Sequence, residues 1–268
     1  MRGALLPYAR LWVAGFRRRT SYRLAMLAGV VTNSAFGLIR CAVLVALAAG
    51  ATTDLGGYDT AQLLAYAWIS QALLGPISIW GGTDLRDRIR SGDIAVDLAR
   101  PLDVQLALLA HDLGYAAAAV IPRSLPTLAV GMLALGVRLP TDLLTWAAGL
   151  TAVALAMVVS YLSRFLVQSA SFWITETRGL INLYSAAAGL LSGLVVPVAL
   201  MPEPLHTLAW CAPFPSLLQV PSDLLSGRRS GADALISLGV QLGWIAALAL
   251  AGRWALRAGA RRLVVAGG

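Results

Sequence analysis

The sequence predicts an all-α integral membrane protein with six transmembrane helices. Of its 268 residues, 58% are hydrophobic and only 13% are charged, and the mean hydropathy is +0.74. Soluble domains are about half apolar and about a quarter charged. A soluble core in a chain of this length could not bury so much apolar surface, whereas spans of about 20 apolar residues crossing a bilayer can absorb it.

Six apolar stretches give the predicted spans of a single transmembrane domain, 1–268. They cover residues 22–49, 61–80, 113–135, 143–166, 180–201 and 234–256. A shorter stretch, Leu5–Phe16, precedes the first span and leads into three consecutive arginines. We expect this stretch to form an amphipathic helix on the membrane surface, because it mixes apolar with basic residues and is too short to span.

The segments between the spans contain turn-forming or charged residues. They are Thr52–Gly57, the charged segment Asp84–Asp112, residues 138–140, a short connection with Glu176 and Arg178, and the proline-rich outer segment Pro202–Arg229. Glycine and proline mark turns, and charged groups are expensive inside the hydrocarbon. These segments are therefore expected to lie at the two membrane surfaces.

The distribution of arginine predicts that both termini are cytoplasmic. With the amino terminus inside, the arginines of the amino-terminal stretch, of Asp84–Asp112 and of the carboxyl-terminal tail lie on one side. Only Arg138, Arg228 and Arg229 lie outside. Basic residues in short loops stay on the cytoplasmic side. The net charge of +8 is thus explained by topology and by the anionic inner leaflet, without a nucleic-acid partner.

The loop between the second and third spans carries two apolar pairs within a charged sequence. Leu85 and Ile89 would share one face of a short helix that the following Ser-Gly dipeptide can end. Ile94 and Leu98 form a second pair before an Arg-Pro dipeptide stops the run. This loop is either a positively charged surface helix that fixes topology or a docking surface for a cytoplasmic partner.

This loop resembles the one between the second and third spans of type-2 ABC exporter permeases, closest to the branch that includes drug and viologen exporters. The matching residues are Ile89, Gly92, Ile94, Leu98, Arg100, Pro101 and Leu102. The outer segment is similar to the "Pro-Phe … Pro … Leu-x-Gly" outer region of that family, through Pro213-Phe214, Pro221, Leu225 and Gly227. The six-span layout and the amino-terminal surface helix extend the likeness over essentially the whole chain.

The resemblance implies a non-catalytic permease of an ATP-driven exporter in the bacterial plasma membrane, moving a drug-like or lipid-like amphipathic substrate. Its implied partners are a second permease, identical or a sister, and two cytoplasmic ATPase subunits that bind Mg-ATP. The ATPases would dock on the surface helix and on residues 85–102, with Ile89 and Ile94 as apolar plugs. The implied docking residues are Arg86, Ile89, Arg90, Gly92, Asp93, Ile94, Asp97, Leu98, Arg100 and Pro101.

Arg123 is predicted near the centre of the third span, between Pro122 and Pro126. An arginine at that depth is costly unless it faces protein or water. It either lines a wet pathway that disfavours cationic cargo, or the span is broken at Pro122 and the side chain extends toward the cytoplasm. Asn33 and Arg40 of the first span are further candidates for the substrate pathway.

The outer segment contains too many apolar residues for a hydrated loop. We expect short re-entrant helices, as the family resemblance implies, with Pro213, Phe214 and Pro221 at an exit gate. The alternative is a simple interfacial hairpin. Either arrangement places apolar side chains in the outer leaflet.

Two other function classes have less support. A membrane enzyme, such as a lipid-modifying transferase, needs clustered titratable groups, but His111 and His206 fall on opposite sides of the predicted topology. Cys41 and Cys211 belong to no metal-binding spacing. An autonomous ion-coupled carrier usually keeps an acid within its spans, whereas every Asp and Glu here is predicted in a loop or at a span end.

Overall fold

The computed structural model describes residues 2–21, 23–50, 55–80, 83–137 and 139–263, and within these ranges it contains helices and no strand. The all-α prediction is confirmed. Tyr22, residues 52–54 and Arg138, which the sequence analysis placed at a span end and in loops, lie outside the described ranges.

The first half of the chain begins with two long helices that are followed by shorter ones. In order they are α1 (Arg2–Thr20), α2 (Arg23–Gly50), α3 (Thr60–Leu73), α4 (Leu85–Ser91), α5 (Asp93–Ala99), α6 (Val104–Ala117), a π-helical turn (Val120–Ser124) and α7 (Leu125–Leu135). The side chain of Asp103 caps α6 by accepting a hydrogen bond from the Leu106 N–H at 2.9 Å. The helical stretch that contains the third predicted span therefore begins at Val104, before the predicted start of that span.

The second half places several short helices between two long ones. They are α8 (Leu143–Ser169), a 3₁₀ turn (Ala170–Phe172), α9 (Arg178–Leu191), a 3₁₀ turn (Val198–Leu200), α10 (Glu203–Trp210), a 3₁₀ turn (Phe214–Ser216), α11 (Gln219–Leu225) and α12 (Gly231–Ala260). The predicted short helices of the outer segment correspond to α10, the Phe214–Ser216 turn and α11.

Four helical stretches within the described ranges are long and apolar enough to cross a membrane. They are Leu24–Ala49, Val104–Leu135, Leu143–Phe172 and Gly231–Ala260. They correspond to the first, third, fourth and sixth predicted spans. Large side chains such as Leu133 and Leu143 are more than three-quarters exposed on them, which is typical of helices solvated by lipid rather than by water.

The second and fifth predicted spans, 61–80 and 180–201, are helical over a shorter range than expected. α3 and α9 each have 14 residues, about 21 Å of helix, against a hydrocarbon core of about 30 Å. α3 ends before Gly75-Pro76 because proline lacks an N–H and restricts the residue before it. α9 ends before Gly193, whose φ is +84°. Six spans remain a prediction.

The long helices pack around the short ones, and α1 lies along α6. α12 and α11 pack on α8, and α3 packs on α2. The contact between α1 and α6 is close, because a Cβ at Gly15 would overlap the His111 carbonyl and one at Gly114 would overlap that of Trp12. The predicted amino-terminal surface helix is therefore longer than 5–16 and is attached to the bundle along its length.

Candidate functional site

The loop between α3 and α6 folds into two short helices joined at a glycine. α4 ends at Ser91, and Gly92 follows in the left-handed conformation, with φ +84° and ψ −6°, which glycine adopts without a Cβ clash. α5 ends at Ala99, and Arg100 follows with an extended backbone before Pro101. The two helices and their stop positions agree with the sequence analysis, whereas their role in docking stays a prediction.

Three apolar side chains attach this loop to the bundle. Leu85 and Ile94 are fully buried, and Ile89 packs partly buried against the same core. The structure corrects the interpretation of Ile94 as a plug for a partner, because its side chain is already enclosed by this chain. Leu98, its predicted partner on an apolar face, is 37% exposed.

The outward face of α4 and α5 is mixed apolar and charged. We call this face, together with the loop residues 170–178, the docking surface. Its exposed loop residues include Asp87, Arg90, Asp93, Val96, Leu98, Arg100 and Pro101. Val96 is 56% exposed and was missed by the sequence analysis, because a valine in a charged loop gives no local indication of which way it faces.

Arg86 joins α4 to the connection between α8 and α9. Its Nε donates to Thr177 Oγ1 at 3.1 Å, and its Nη2 lies 3.5 Å from Glu176 Oε1. Arg90 Nη1 is 3.9 Å from the other oxygen of Glu176. The pKa of the Glu176 carboxyl is lowered below its ordinary value. The largest cause is the hydrogen bond from the Arg178 backbone N–H, and the guanidinium charges of Arg178 and Arg86 lower the pKa further.

The connection after α8 also offers exposed apolar groups beside α4. Trp173 and Ile174 are 40% and 49% exposed, and a cleft of about 330 Å³ separates them from Ile89 and Arg90. The sequence analysis treated this connection only as a polar link. An exposed Trp-Ile pair in a short link was the available indication of a contact surface.

A second set of ion pairs lies within the loop and between the loop and α1. Asp97 Oδ2 lies 2.6 Å from Arg88 Nη1, and Asp97 Oδ1 lies 3.6 Å from Arg100 Nη1. Arg18 of α1 pairs at 2.9 Å with Asp84, the residue before α4. Movement of α4 and α5 would therefore be felt by both α1 and α8. Neither Arg88 nor Asp84 was among the predicted docking residues.

The structure brings two of the three predicted pathway residues together. Arg123 Nη2 donates to Asn33 Oδ1 at 3.1 Å, and Asn33 Nδ2 donates to the Gln71 carbonyl at 3.0 Å. Arg123 thus contacts α2 and is linked through Asn33 to α3. Arg40 lies two turns farther along α2, where its Nη1 contacts Ser70 Oγ at 2.9 Å.

The second part of the outer segment, 215–226, is packed inside the bundle, whereas much of α10 is exposed. Every residue from Pro215 to Leu225 is buried, including Pro221, and α11 packs on α8 and α3. Phe214 is partly buried with its ring centroid 5.8 Å from that of Tyr184, and Pro213 is likewise partly buried. This burial is greater than a simple interfacial hairpin would give.

Asp223 of the outer segment is fully buried, and both of its carboxylate oxygens accept hydrogen bonds. Its carboxylate accepts hydrogen bonds from the Tyr58 hydroxyl, from Gln219 Nε2 at 2.9 Å and from Arg228 Nη1 at 2.9 Å. Arg228 also donates to the Gly56 carbonyl. Burial, and then the neighbouring Asp223 carboxylate, raises the pKa of the Tyr58 phenol. The sequence analysis placed Asp223 in a loop and missed this cluster.

Comparison with known proteins gives one family match. The model of a family described as "ABC-2 family transporter protein" matches residues 38–267, which include α4, α5 and the outer segment. No curated protein matches the sequence.

Proposed function

This chain belongs to the ABC-2 transporter family and is a multi-pass membrane permease subunit of an ABC transporter, and we propose that it exports an amphipathic or hydrophobic substrate. The resemblance to the branch with drug and viologen exporters favours outward transport. In this proposal ATP is hydrolysed, as Mg-ATP, on separate ATPase subunits. The chain works in the bacterial plasma membrane as one of two permeases, with both termini cytoplasmic.

The observation that carries the proposal is the docking surface. Its two short helices are fixed from within by Leu85, Ile89 and Ile94, yet they present Val96 and several charges outward. An element anchored on one side and unpaired on the other is suited to bind a partner. The exposed Trp173 and Ile174 extend the same surface beyond the loop that the sequence indicated.

Coupling requires an element whose contacts differ between two states of the transporter. Arg18–Asp84 joins the loop to α1, and Arg86 joins it to the α8–α9 connection. Closure of the ATPase dimer would displace α4 and α5 as a unit and transmit that movement through both contacts. The proposed pathway passes Asn33, Arg40 and Arg123, and the proposed exit gate is at Pro213, Phe214 and Pro221.

The proposal is tested by purifying the tagged chain from its native membrane and measuring the recovered ABC ATPase by mass spectrometry and ATP hydrolysis. Val96→Asp places a charge at the centre of the docking surface without disturbing the buried anchor. Val96→Thr is the matched control, because the half-exposed side chain keeps nearly the same size and shape and gains no charge. We expect Val96→Asp to lose at least about tenfold in recovered ATPase, the loss of roughly one hot-spot contact.

The two variants separate the outcomes. Retention of the ATPase by Val96→Thr and its loss from Val96→Asp supports docking on this surface. Equal recovery from both variants would move docking elsewhere on the chain. A folded wild-type chain that recovers no ATPase contradicts the exporter proposal and returns the autonomous carrier and the membrane enzyme to consideration.

A further inference from the structure

Three arginines occupy the seam between α2 and α3. Arg19 Nη2 donates to the Gly75 carbonyl at 3.2 Å, and a Cβ on Gly75 would lie 3.3 Å from Arg123 Cδ, so Arg19 and Arg123 meet at this glycine. Arg40 lies seven residues beyond Asn33 on α2, about 10 Å along the helix. We call these three residues the arginine column.

Arg19 lies over the Tyr115 ring and is attracted by the Asp112 carboxylate, whereas no carboxylate pairs with Arg40 or Arg123 within the ranges that the structure describes. The other inward-facing arginines have acids: Arg164 pairs with Asp112 at 2.8 Å and Arg228 with Asp223 at 2.9 Å. Arg40 and Arg123 contact only neutral oxygens, namely those of Ala67, Ser70 and Asn33. The column therefore places uncompensated positive charge beside the membrane-spanning helices, where charge is expensive.

Several guanidinium nitrogens of the column are buried without an acceptor. They are Nε and Nη2 of Arg40 and Nε of Arg123. A buried donor without a partner costs about 1–3 kcal/mol, and more when it is charged. A ligand that supplies the missing acceptors would offset this cost.

The backbone around Arg123 is shaped to hold this side chain. It lies in the π-helical turn Val120–Ser124, a distortion that is frequent at functional sites. Gly29 leaves room for the guanidinium, since a Cβ there would come within 2.9 Å of Arg123 Nε. A cleft of about 560 Å³, lined by Thr20, Ser21, Met26 and Pro122, opens beside the turn.

The surroundings of the cleft are apolar on the outside of the bundle. Ile121 and Leu125 flank Arg123 on the same helix and are 70% and 52% exposed. A molecule with a charged head at Arg123 would therefore find apolar side chains for its tail. Charge-assisted hydrogen bonds from arginine suit phosphate and carboxylate oxygens.

We propose that the arginine column binds the anionic headgroup of an amphiphilic substrate, a phosphate or a carboxylate. This inference rests on the proposed function for the statement that the bound molecule is transported, and it names the substrate class. The positive field of the column attracts anions into the seam and repels cations. Arg123, which follows Pro122 in the wall of the cleft, binds the headgroup, and Arg40 provides the next site along α2.

The test is equilibrium binding of two probes to the full chain in phosphatidylcholine nanodiscs. Dodecyl phosphate and dodecylphosphocholine have the same apolar chain and differ in headgroup charge. We expect dodecyl phosphate to bind at least about tenfold more tightly, because the choline cation of dodecylphosphocholine cancels the charge of its phosphate and is repelled by the arginines. A second arm with fluorescent phosphatidylglycerol and phosphatidylcholine of matched acyl chains distinguishes a membrane lipid from a free amphiphile as the source.

The variants are Arg123→Gln and Arg40→Gln, with Arg253→Gln as the control. Arg253 is about half exposed and lies 3.9 Å from Asp103 on the outside of α12. We expect Arg123→Gln to reduce the preference for dodecyl phosphate to within about twofold, since the charge-assisted bond is lost, and Arg253→Gln to retain it. If Arg123→Gln fails to fold, Arg123→Lys must retain the preference, because it keeps the charge.

Equal binding of the two dodecyl probes to the wild-type chain overturns the inference, as does a preference that survives both Arg123→Gln and Arg40→Gln. The binding measurement does not need the ATPase. A chain that prefers the anionic probe but recovers no ATPase would therefore support the anion site and contradict the proposed function. A chain that recovers the ATPase but binds the two probes equally would support the proposed function and contradict an anionic substrate.

Discussion

The docking surface and the outer segment both connect longer helices, and they differ in whether their charged side chains are exposed or buried. On the docking surface Asp87, Asp93 and Arg90 are exposed, and the pair between Arg90 and Glu176 is 3.9 Å long. In the outer segment Asp223 is fully buried and bound by Tyr58, Gln219 and Arg228. Arginine and acidic residues therefore form exposed contacts on the docking surface and buried contacts in the outer segment.

The difference follows from solvent. Exposed ion pairs contribute about 0–1 kcal/mol because water competes for both partners. A surface made of such pairs can exchange them for contacts to another protein at little cost. A buried carboxylate has no alternative partner, so removal of its donors or of the acid leaves unpaired groups. The outer segment is held in one arrangement, whereas the docking surface is free to change its contacts.

Removal of the buried acid is the strongest test of this comparison. Asp223→Ala should lower the free energy of unfolding by about 3–5 kcal/mol, because it removes a fully buried acid and leaves the partly buried Arg228 without its counter-ion. Chemical denaturation in mild detergent measures the change. Asp93→Ala, at an exposed acid of the docking surface, is the control and should change stability by less than about 0.5 kcal/mol. Similar losses from the two variants would contradict the distinction between the regions.

A smaller effect is expected at the joint of the docking surface. Gly92→Ala should destabilise the chain by about 1 kcal/mol, because alanine is strained at φ +84°, although nothing lies within 4 Å of the added methyl group. Gly179→Ala is the matched control, since it is equally open and helical and should be neutral or stabilising. The midpoints of thermal unfolding of the two variants are compared with that of the wild type. Equal midpoints for Gly92→Ala and Gly179→Ala would show that alanine is not strained at position 92.

The smallest effect is expected at Glu176 and depends on pH. Because its pKa is lowered in the folded chain, the carboxylate adds stability above the ordinary Glu pKa of about 4.3. That stability is lost as pH falls through the lower folded-state pKa. The midpoint of thermal unfolding should therefore be slightly lower for Glu176→Gln than for wild type at pH 7, and the two should converge below about pH 4.

The control for Glu176 is Glu203→Gln in the outer segment. No ion pair involves Glu203 within the described ranges, although its Oε1 accepts a hydrogen bond from Thr207 at 3.3 Å. Its difference from wild type should not share the dependence on pH that Glu176→Gln shows. A constant offset of Glu176→Gln from pH 7 to pH 3 would mean that its pairs with Arg86 and Arg90 do not stabilise the fold.

Sequence reasoning was most accurate where a property depends on neighbouring residues. The long apolar runs predicted the four stretches that can cross a membrane, and Gly92 and Pro101 predicted where α4 and α5 end. It was less accurate for α3 and α9, which end earlier than their apolar runs. Hydropathy measures how apolar a segment is, and it does not measure whether the backbone stays helical past Gly75 or Ser192.

The amino-acid sequence by itself determined the class of protein, the membrane-crossing helices, the two helices of the docking surface and the family. Only the tertiary structure decided that Ile94 faces inward and Val96 outward, that Asp223 is buried, and that Arg123 meets Asn33. Local conformation follows from the residues within a turn or two, because they set the backbone angles and the apolar period. Burial and pairing depend on which distant helix lies opposite, and here those helices are between 38 and 165 residues away along the chain.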